Sequence, residues 1–382
     1  MTTTSLRKGL LGVFLQKSSS NWLNRCISCH TKQSFSFAAT HKKERRCRVG
    51  LHRGLHTEKT ECIQEKDAPR ELKFAQLTGR GLLRISGPDA TELLQGLQTN
   101  DTGLLWGRNG VMYTMFLNTQ GRILFDVICY HMASQDAKEH TYLLECDAEV
   151  QGKLAKHLKM FRIRKKVDIS SADAELKPWA LFNNNFPSQG TEEPAAKNCD
   201  GYFADVKDPR VAGFGRRLVL AQDESLTCLV PDATEASVDE YRLHRYRWGV
   251  PEGVIDLPQG ESLPLESNLE YMNGVSFSKG CYLGQELTAR THYTGVIRKR
   301  IMPVEILSHG TSHLETGAKI INEEGKNVGK LRGCHGNHGL ALLRVAKCKD
   351  KKLLILGEDG SRTELVASVP SWWPQDQEET KD

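Results

Sequence analysis

Residues 73–170 alternate between strand and helix patterns, and this alternation restricts the possible folds more than any other feature of the sequence. Leu82-Leu83-Arg84-Ile85 predicts a strand. Ser86-Gly87-Pro88-Asp89 then predicts a helix start, because Pro suits an early helical position and Ser and Asp cap helix N-termini. Further strands are predicted at 111–117, 123–130, 141–146 and near 167–169, and Asn118-Thr119-Gln120-Gly121 is predicted to form the turn between the first two. A second helix is predicted to carry Val150, Leu154, Leu158 and Phe161 on one side. Locally paired strands with two helices between them predict an α+β layer in a ferredoxin-like arrangement.

The pattern changes in the second half of the chain. Residues 183–200 are rich in Asn and Pro and predict a surface loop. Asp232 and Glu235 have the spacing of a helix cap before a helix that ends at Gly249. After residue 296, short β-rich runs separated by Gly and polar turns predict a small antiparallel barrel or sandwich. The expected divisions are an α+β region at 70–296, a β domain at 297–370 and a polar tail at 371–382.

Charge is distributed unevenly along the chain. Residues 1–57 contain eleven Lys and Arg and one acid, Glu44, whereas the remainder contains 41 basic and 46 acidic residues. The overall charge of +5 therefore does not indicate a nucleic-acid partner, because the body is acidic. An acid-poor amphipathic start with Ser and Arg is typical of a mitochondrial transit peptide, so 1–57 is predicted to be an import signal or a disordered basic arm, and the location is predicted to be the mitochondrial matrix. No run of 18 apolar residues occurs, so no transmembrane segment is predicted.

One segment indicates a functional site more strongly than any other. It is residues 279–290, which read Lys279-Gly280-Cys281-Tyr282-Leu283-Gly284-Gln285-Glu286-Leu287-Thr288-Ala289-Arg290. Two glycines bracket the Cys-Tyr pair, so the backbone can turn sharply and place Cys281 at a tip. Lys279 and Arg290 are close in sequence, and nearby cations favour the thiolate form, which is both a nucleophile and a soft metal ligand. Gln285 and Glu286 suit recognition of a polar ligand. The alternative is a buried packing cysteine at a Gly-rich helix start.

The other cysteines of the body show no metal-ligand spacing. Cys129 and Cys146 lie in apolar strand patterns and are predicted to be core residues, as expected for unpaired thiols in a reducing compartment. Cys334-His335-Gly336-Asn337-His338 is interpreted as a polar hairpin loop. Cys26-Ile27-Ser28-Cys29-His30 matches a haem-attachment pattern, but it lies in the predicted leader, where no folded apolar pocket is expected.

The 279–290 motif resembles the K-G-C-[FY]-x-G-Q-E-x-x-x-[RK] signature of the YgfZ branch of the GcvT/YgfZ folate-binding family. The resemblance covers most of the body. Residues 85–90 and 94–101 are similar to the first motif of the family, and 117–126 is similar to its second. Asp208-Pro209-Arg210, residues 249–253 and residues 263–266 are similar to later motifs.

This resemblance implies a GcvT/YgfZ-like multidomain α+β fold, with a ferredoxin-like folate-binding body and a C-terminal antiparallel β-barrel. It also implies a non-enzymatic role late in the maturation of mitochondrial [4Fe-4S] proteins such as aconitase, lipoyl synthase and respiratory-complex subunits, with an A-type iron–sulfur carrier as partner. Cys281 would be one ligand of a shared [2Fe-2S] cluster, and the carrier would supply the rest, because such a cluster takes four ligands. The functional residues implied by the signature are Lys279, Gly280, Cys281, Tyr282, Gly284, Gln285, Glu286 and Arg290. Lys279 and Arg290 would attract the anionic cluster. Gln285 and Glu286 would lie around the cluster or face a pterin.

Tetrahydrofolate is the cofactor that this family implies, and a pterin needs a carboxylate or amide at its ring edge and an apolar wall. The candidates by motif position are Tyr113, Asn100, Asp101, Asp126 and Glu266. Asn100 and Asp101 equally suit a turn, and Asp126 equally suits a strand end. The alternative function is a tetrahydrofolate-dependent aminomethyltransferase. That branch of the family carries paired acids where this chain has Phe125-Asp126, and it typically lacks the cysteine.

Overall fold

A computed structural model describes residues 71–106, 110–132, 140–183, 202–307, 314–348, 351–357 and 361–374. The predicted basic arm at 1–57, with its Cys-x-x-Cys-His motif, lies outside these ranges, as do most of the predicted loop at 183–200 and the end of the predicted tail. Within these ranges, no helix has the length and apolar character needed to cross a bilayer.

The strands are β1 (Leu72–Gln76), β2 (Arg80–Gly87), β3 (Val111–Leu117), β4 (Ile123–Met132), β5 (His140–Asp147), β6 (Asp168–Ser171), β7 (Leu176–Asn183), β8 (Tyr202–Lys207), β9 (Arg216–Ala221), β10 (Thr234–Glu235), β11 (Lys299–Ile306), β12 (Lys319–Asn322), β13 (Asn327–His335), β14 (His338–Arg344), β15 (Lys352–Leu356) and β16 (Arg362–Ala367). The helices are α1 (Ala90–Gln95), α2 (Gln151–Arg162), α3 (Leu226–Leu229), α4 (Val238–Trp248), α5 (Gly253–Asp256), α6 (Gln285–Thr294) and α7 (Val345–Cys348).

The first sheet has the predicted ferredoxin-like arrangement with one additional strand. Its order is β3-β4-β5-β2-β6, every neighbouring pair is antiparallel, and β3 is the addition, at the edge beside β4. Helices α1 and α2 cover one face, where Leu94 and Leu158 are fully buried with Cys129 and Cys146. The predicted α+β layer and the two predicted core cysteines are therefore confirmed.

The second sheet has the order β10-β1-β7-β9-β8, and sequence patterns predicted none of its strands. Strand β7 contains Lys177 and Pro178, and β9 begins with Arg216 and Arg217, so neither shows a simple apolar alternation. Both arginines are nevertheless buried, because Arg216 pairs with Asp205 and Arg217 pairs with Glu145 in the interior. Charge that is neutralised only in the folded state hid these strands from a hydrophobicity pattern.

Helix α4 ends where predicted but begins with a different cap. Ser237 accepts a hydrogen bond from the backbone N–H of Glu240, and the Glu240 carboxylate accepts one from the backbone N–H of Ser237. This reciprocal capping box replaces the predicted one, and Glu235 instead pairs with Phe74 in the short strand β10. Gly249 closes the helix with a φ of 71°, a conformation that glycine adopts without strain.

The C-terminal strands form the predicted barrel, closed in the order β11-β14-β13-β12-β15-β16. Strand β13 was not predicted, because its glycines and polar residues interrupt the apolar pattern. The β13–β14 hairpin turns at Gly336 and pairs His335 with His338, as the polar-hairpin interpretation expected. Trp373, at the start of the predicted tail, packs in the barrel core. The barrel strands therefore close around a core that extends past residue 370.

Charged side chains also fill the interior between the two sheets. Four arginines and five carboxylates are buried there together: Arg80, Asp126, Glu145, Asp208, Arg210, Arg217, Arg245, Glu252 and Asp256. The Arg217 guanidinium is bound to Glu145 (2.9 Å), Asp208 (3.1 Å) and Glu252. It thereby joins strand β5 of the first sheet to β9 and to the start of α5. Burial alone would raise the pKa of Glu252, but Arg217, Arg210, Arg80 and Arg245 outweigh it and hold that pKa well below its usual value.

We expect Arg217→Met to lower the free energy of unfolding by about 3–5 kcal/mol, because Glu145, Asp208 and Glu252 would each lose a buried cationic partner. Urea unfolding followed by circular dichroism would measure the loss. Arg242→Met is the matched control, since Arg242 pairs with Asp239 at the surface and its loss should change the free energy by less than about 1 kcal/mol. Equal effects of the two substitutions would contradict a central role for Arg217.

Candidate functional site

The 279–290 motif forms a loop that leads into helix α6, and Cys281 is exposed in that loop. The residue after it, Tyr282, is buried in the central core, and this burial raises the pKa of Tyr282 to about 12. The backbone N–H of Leu283 donates to the carbonyl of Gly96 (3.0 Å), which ties the loop to the end of α1. The alternative reading of Cys281 as a buried packing residue is therefore wrong.

Lys279 holds the other side of the loop. Its ammonium group donates to the backbone carbonyls of Gln95 (2.8 Å), Gln98 (2.7 Å) and Asn100 (2.8 Å), all at or just after the end of α1. Burial lowers the pKa of Lys279 to about 8. All three of its donors are used, so none is left for a thiolate or a cluster. Lys279 therefore braces the loop that carries Cys281, a contact that the signature did not predict.

Two glycines bring the second family motif against the first turn of α6. Gly284 (φ 79°) and Gly121 (φ 77°) both lie in the left-handed region, which other residues rarely adopt. A Cβ on Gly121 would lie 2.9 Å from Leu287 Cβ and 3.0 Å from the Gly284 carbonyl oxygen, and a Cβ on Gly284 would overlap the Asn118 carbonyl. The predicted turn at Asn118-Thr119-Gln120-Gly121 is thus a packing surface for the functional loop.

The polar residues of the motif divide into inward and outward roles. Gln285 accepts a hydrogen bond from the Tyr282 backbone N–H (3.1 Å), so its side chain stabilises the loop, a role that the signature did not predict. Glu286 and Arg290 are exposed on α6, and Gly280 is exposed in the loop, with no atom near the place where a Cβ would stand. The exposed side chains of the motif are therefore Cys281, Glu286 and Arg290.

Asn100 and Asp101, two of the predicted folate residues, serve the backbone. The Asn100 amide donates to the carbonyls of Tyr113 (2.9 Å) and Asn273 (2.8 Å), and its oxygen accepts from the Asp101 N–H. The Asp101 carboxylate accepts from the N–H of Gly103 (2.9 Å) and from the side chain of Gln95. These are the turn contacts that the sequence left as the alternative.

Tyr113 and Asp126 lie in the interior. Asp126 binds Arg80 (3.1 Å) and accepts from the Gly253 N–H (3.2 Å), while burial raises its pKa despite Arg80. Tyr113 is 1% exposed, and its hydroxyl has no hydrogen-bond partner among the described residues. Burial raises the pKa of Tyr113 well above its usual value. Of the candidates placed in the interior, Tyr113 alone keeps an unengaged polar atom.

Glu266 lies elsewhere, in a groove of about 340 Å³ between α6 and the barrel strands β11 and β14. Leu287 and Thr288 of α6 line the same groove. Of the five predicted folate residues, Asn100, Tyr113 and Asp126 are therefore buried, Asp101 lies in a turn and Glu266 lines this groove. As a set they do not fit a pterin, because recognition requires free polar atoms that converge on one apolar wall.

Sequence reasoning missed the residues that support the site. Arg80, Arg210 and Arg217 are buried between the two sheets, where they pair with carboxylates. Of the three, Arg210 alone belonged to a motif that the sequence analysis identified. Asn118 and Gly121 were recognised as a turn but not as a contact of the cysteine loop. The signal in the sequence that could have indicated this contact was a Gly-containing turn within a family motif. Only the tertiary structure shows that this turn packs against the cysteine loop.

Comparisons with known proteins decide the family. The chain is 47% identical over 309 residues to "Iron-sulfur cluster assembly factor IBA57, mitochondrial" of Homo sapiens, covering 78% of this chain and 85% of that protein. It is 44% identical to the protein of the same description from Mus musculus, with the same coverage. It is also 35% identical to the IBA57 homolog of Mycosarcoma maydis, covering 80% of this chain and 86% of that protein.

The chain belongs to the IBA57 family. The resemblance to the YgfZ branch and the predicted mitochondrial location are thereby confirmed. The family model described as "CAF17, C-terminal beta-barrel domain" matches residues 298–375, where the structure closes its barrel. The glycine cleavage system aminomethyltransferase T from Bartonella henselae has a similar structure, with a TM-score of 0.60 and 15% identity over 78% of this chain and 86% of that one. This likeness confirms the GcvT-type fold.

We expect Gly284→Ala to lower the free energy of unfolding by at least about 1–2 kcal/mol, because alanine resists a left-handed φ and its Cβ would overlap Asn118. The thiol of Cys281 should also react faster with a bulky disulfide reagent as the loop loosens. Gly280→Ala, on the other side of Cys281, is the control and should change neither measurement appreciably, since its Cβ would meet open space. Equal effects of the two variants would refute the packing role of Gly284.

Proposed function

We propose that this chain is an iron–sulfur cluster assembly factor that acts in the mitochondrial matrix, late in the maturation of [4Fe-4S] proteins. Cys281 supplies one ligand to a [2Fe-2S] cluster shared with an A-type carrier, and the clients include aconitase, lipoyl synthase and respiratory-complex subunits. The observation that carries the proposal is the exposed thiol of Cys281 on a loop that is fixed on both sides. The relatives named as iron–sulfur cluster assembly factors support it.

The geometry suits a ligand that is offered to another protein. Of the cysteines whose side chains the structure describes, Cys129, Cys146 and Cys348 are buried, Cys334 is half-buried and Cys281 is exposed. One thiolate provides one of the four ligands that a [2Fe-2S] cluster takes, so the carrier provides the others. A cluster held by a single bond on this side leaves without unfolding the chain, and the cluster is therefore cargo rather than a resident cofactor.

The exposed charges of α6 complete the proposed surface. Arg290 is exposed, and we assign to it the attraction of the anionic cluster that the sequence predicts for Lys279 and Arg290 together. Glu286 is also exposed, and its carboxylate repels partners that carry negative charge at the facing position. It therefore contributes to partner choice rather than to affinity.

We expect Cys281→Ala to leave the unfolding transition unchanged and to abolish the visible absorption of the cluster shared with a cluster-loaded A-type carrier. Cys281 contributes no core packing, so a loss of absorption would report ligation alone. Cys334→Ala is the matched control, with a thiol that is half-buried in the barrel, and it should retain the shared spectrum. An unchanged spectrum and intact complex with Cys281→Ala would refute the ligand role.

Tetrahydrofolate dependence stays a prediction of the family resemblance, and no step of the proposed function passes through it. We expect Tyr113→Phe to be at least as stable as the wild type, because it removes a buried hydroxyl without a partner, and to keep full cluster transfer. Calorimetric titration with tetrahydrofolate provides the test on both proteins. Saturable binding that Tyr113→Phe abolishes, or methylene-tetrahydrofolate formed from an aminomethyl donor, would favour the aminomethyltransferase alternative instead.

A further inference from the structure

Helix α2 and the turn after it carry a basic surface on an otherwise acidic body. Residues 151–166 contain seven Lys and Arg and no Asp or Glu, whereas residues 58–382 as a whole have more acids than bases. We use the name α2 surface for the exposed charged and apolar side chains of this segment, which are Lys153, Lys156, Lys159, Met160, Ile163, Arg164 and Lys166. None of these seven residues forms an ion pair that the structure describes, so the cationic charge is open to a partner.

The helix presents two different faces. Leu154 and Leu158 are fully buried against the first sheet and account for its attachment. Lys156, Met160 and Ile163 follow one another at spacings of four and three, which places them along the outward side. Met160 is 64% exposed and Ile163 is 82% exposed, so apolar side chains stand in the middle of the cations.

The conformation of Ile163 strengthens the case that its side chain has a use outside the fold. Its φ is 46°, a region in which a β-branched residue is strained and glycine is not. Because the side chain is exposed, packing within the chain does not compensate for that strain. Burial of the Ile163 side chain in a binding partner would explain why isoleucine rather than glycine occupies this strained position.

We propose that the α2 surface binds the anionic surface of a phospholipid bilayer, with Met160 and Ile163 inserted among the headgroups and the lysines over the phosphates. Apolar side chains ringed by Lys and Arg are the pattern of peripheral membrane attachment. The composition favours lipid over a protein partner, because protein interfaces are enriched in aromatic residues and depleted in Lys, and this surface contains five outward-directed cations and no exposed aromatic ring. The chain belongs to a mitochondrial family, so such a membrane is within reach.

The test uses the full chain and phosphatidylcholine vesicles with and without cardiolipin, and it compares variants by co-sedimentation. The basic arm is common to all of them, so differences report the α2 surface. We expect Lys156→Glu with Lys159→Glu to weaken partition onto cardiolipin vesicles by at least about tenfold. Lys330→Glu with Lys352→Glu, on exposed barrel positions, makes the same change of charge and should alter partition by less than about twofold. Hydrogen exchange on vesicles should slow at 151–166.

Ile163→Gly separates the membrane role from a structural one. Glycine relieves the strained φ, so the free energy of unfolding should stay the same or rise, while vesicle partition should fall by at least about threefold as the apolar contact is lost. Equal losses for the two double variants, or no slowing of exchange at 151–166, would overturn the proposal. So would a Lys156→Glu with Lys159→Glu protein that keeps its vesicle binding but loses its complex with the A-type carrier, since the surface would then be a protein interface.

Discussion

The buried ion network around Arg217 is the interaction on which the rest of the structure depends. Its guanidinium contacts carboxylates from the first sheet, the second sheet and the segment before α5. Buried charges are tolerated only when each has a partner, so the network requires both sheets to hold one relative position. The cysteine loop depends on this arrangement indirectly, because it is held by the end of α1 and by the turn between β3 and β4, which belong to the first sheet and its helix layer.

The cysteine loop shows how a rigid support can present a reactive group to solvent. Lys279, Tyr282 and Gly284 all face inward, and each is held by a different physical interaction: carbonyl hydrogen bonds, apolar burial and close backbone packing. Cys281 lies between them with its thiol outside. Lys279, Tyr282, Gly284 and Gln285 of the signature therefore position the loop, and Cys281, Glu286 and Arg290 are the side chains left exposed to a partner.

The fold and the site support different conclusions about function. A shared GcvT-type fold with an aminomethyltransferase at 15% identity establishes architecture, because one fold hosts many activities. The carboxylate expected to face folate, Asp126, is engaged by Arg80 instead. The exposed thiol, in contrast, is free for a partner. The exposed cysteine loop and the family membership therefore support the proposed role in cluster assembly, and the fold positions that loop.

The amino-acid sequence alone determined the α+β layer, the barrel, the helix stop at Gly249 and the importance of the 279–290 motif, because each depends on local periodicity or on a contiguous signature. Tertiary structure decided the rest. The second sheet escaped prediction because the arginines of its strand β9 are neutralised only by carboxylates that folding brings to them, such as Glu145, which lies 72 residues from Arg217. The sequence likewise could not predict that Lys279 and Asn100 bind backbone carbonyls, because a polar side chain can equally bind a ligand or a distant carbonyl. Only the folded chain shows which of these partners lies within hydrogen-bonding distance.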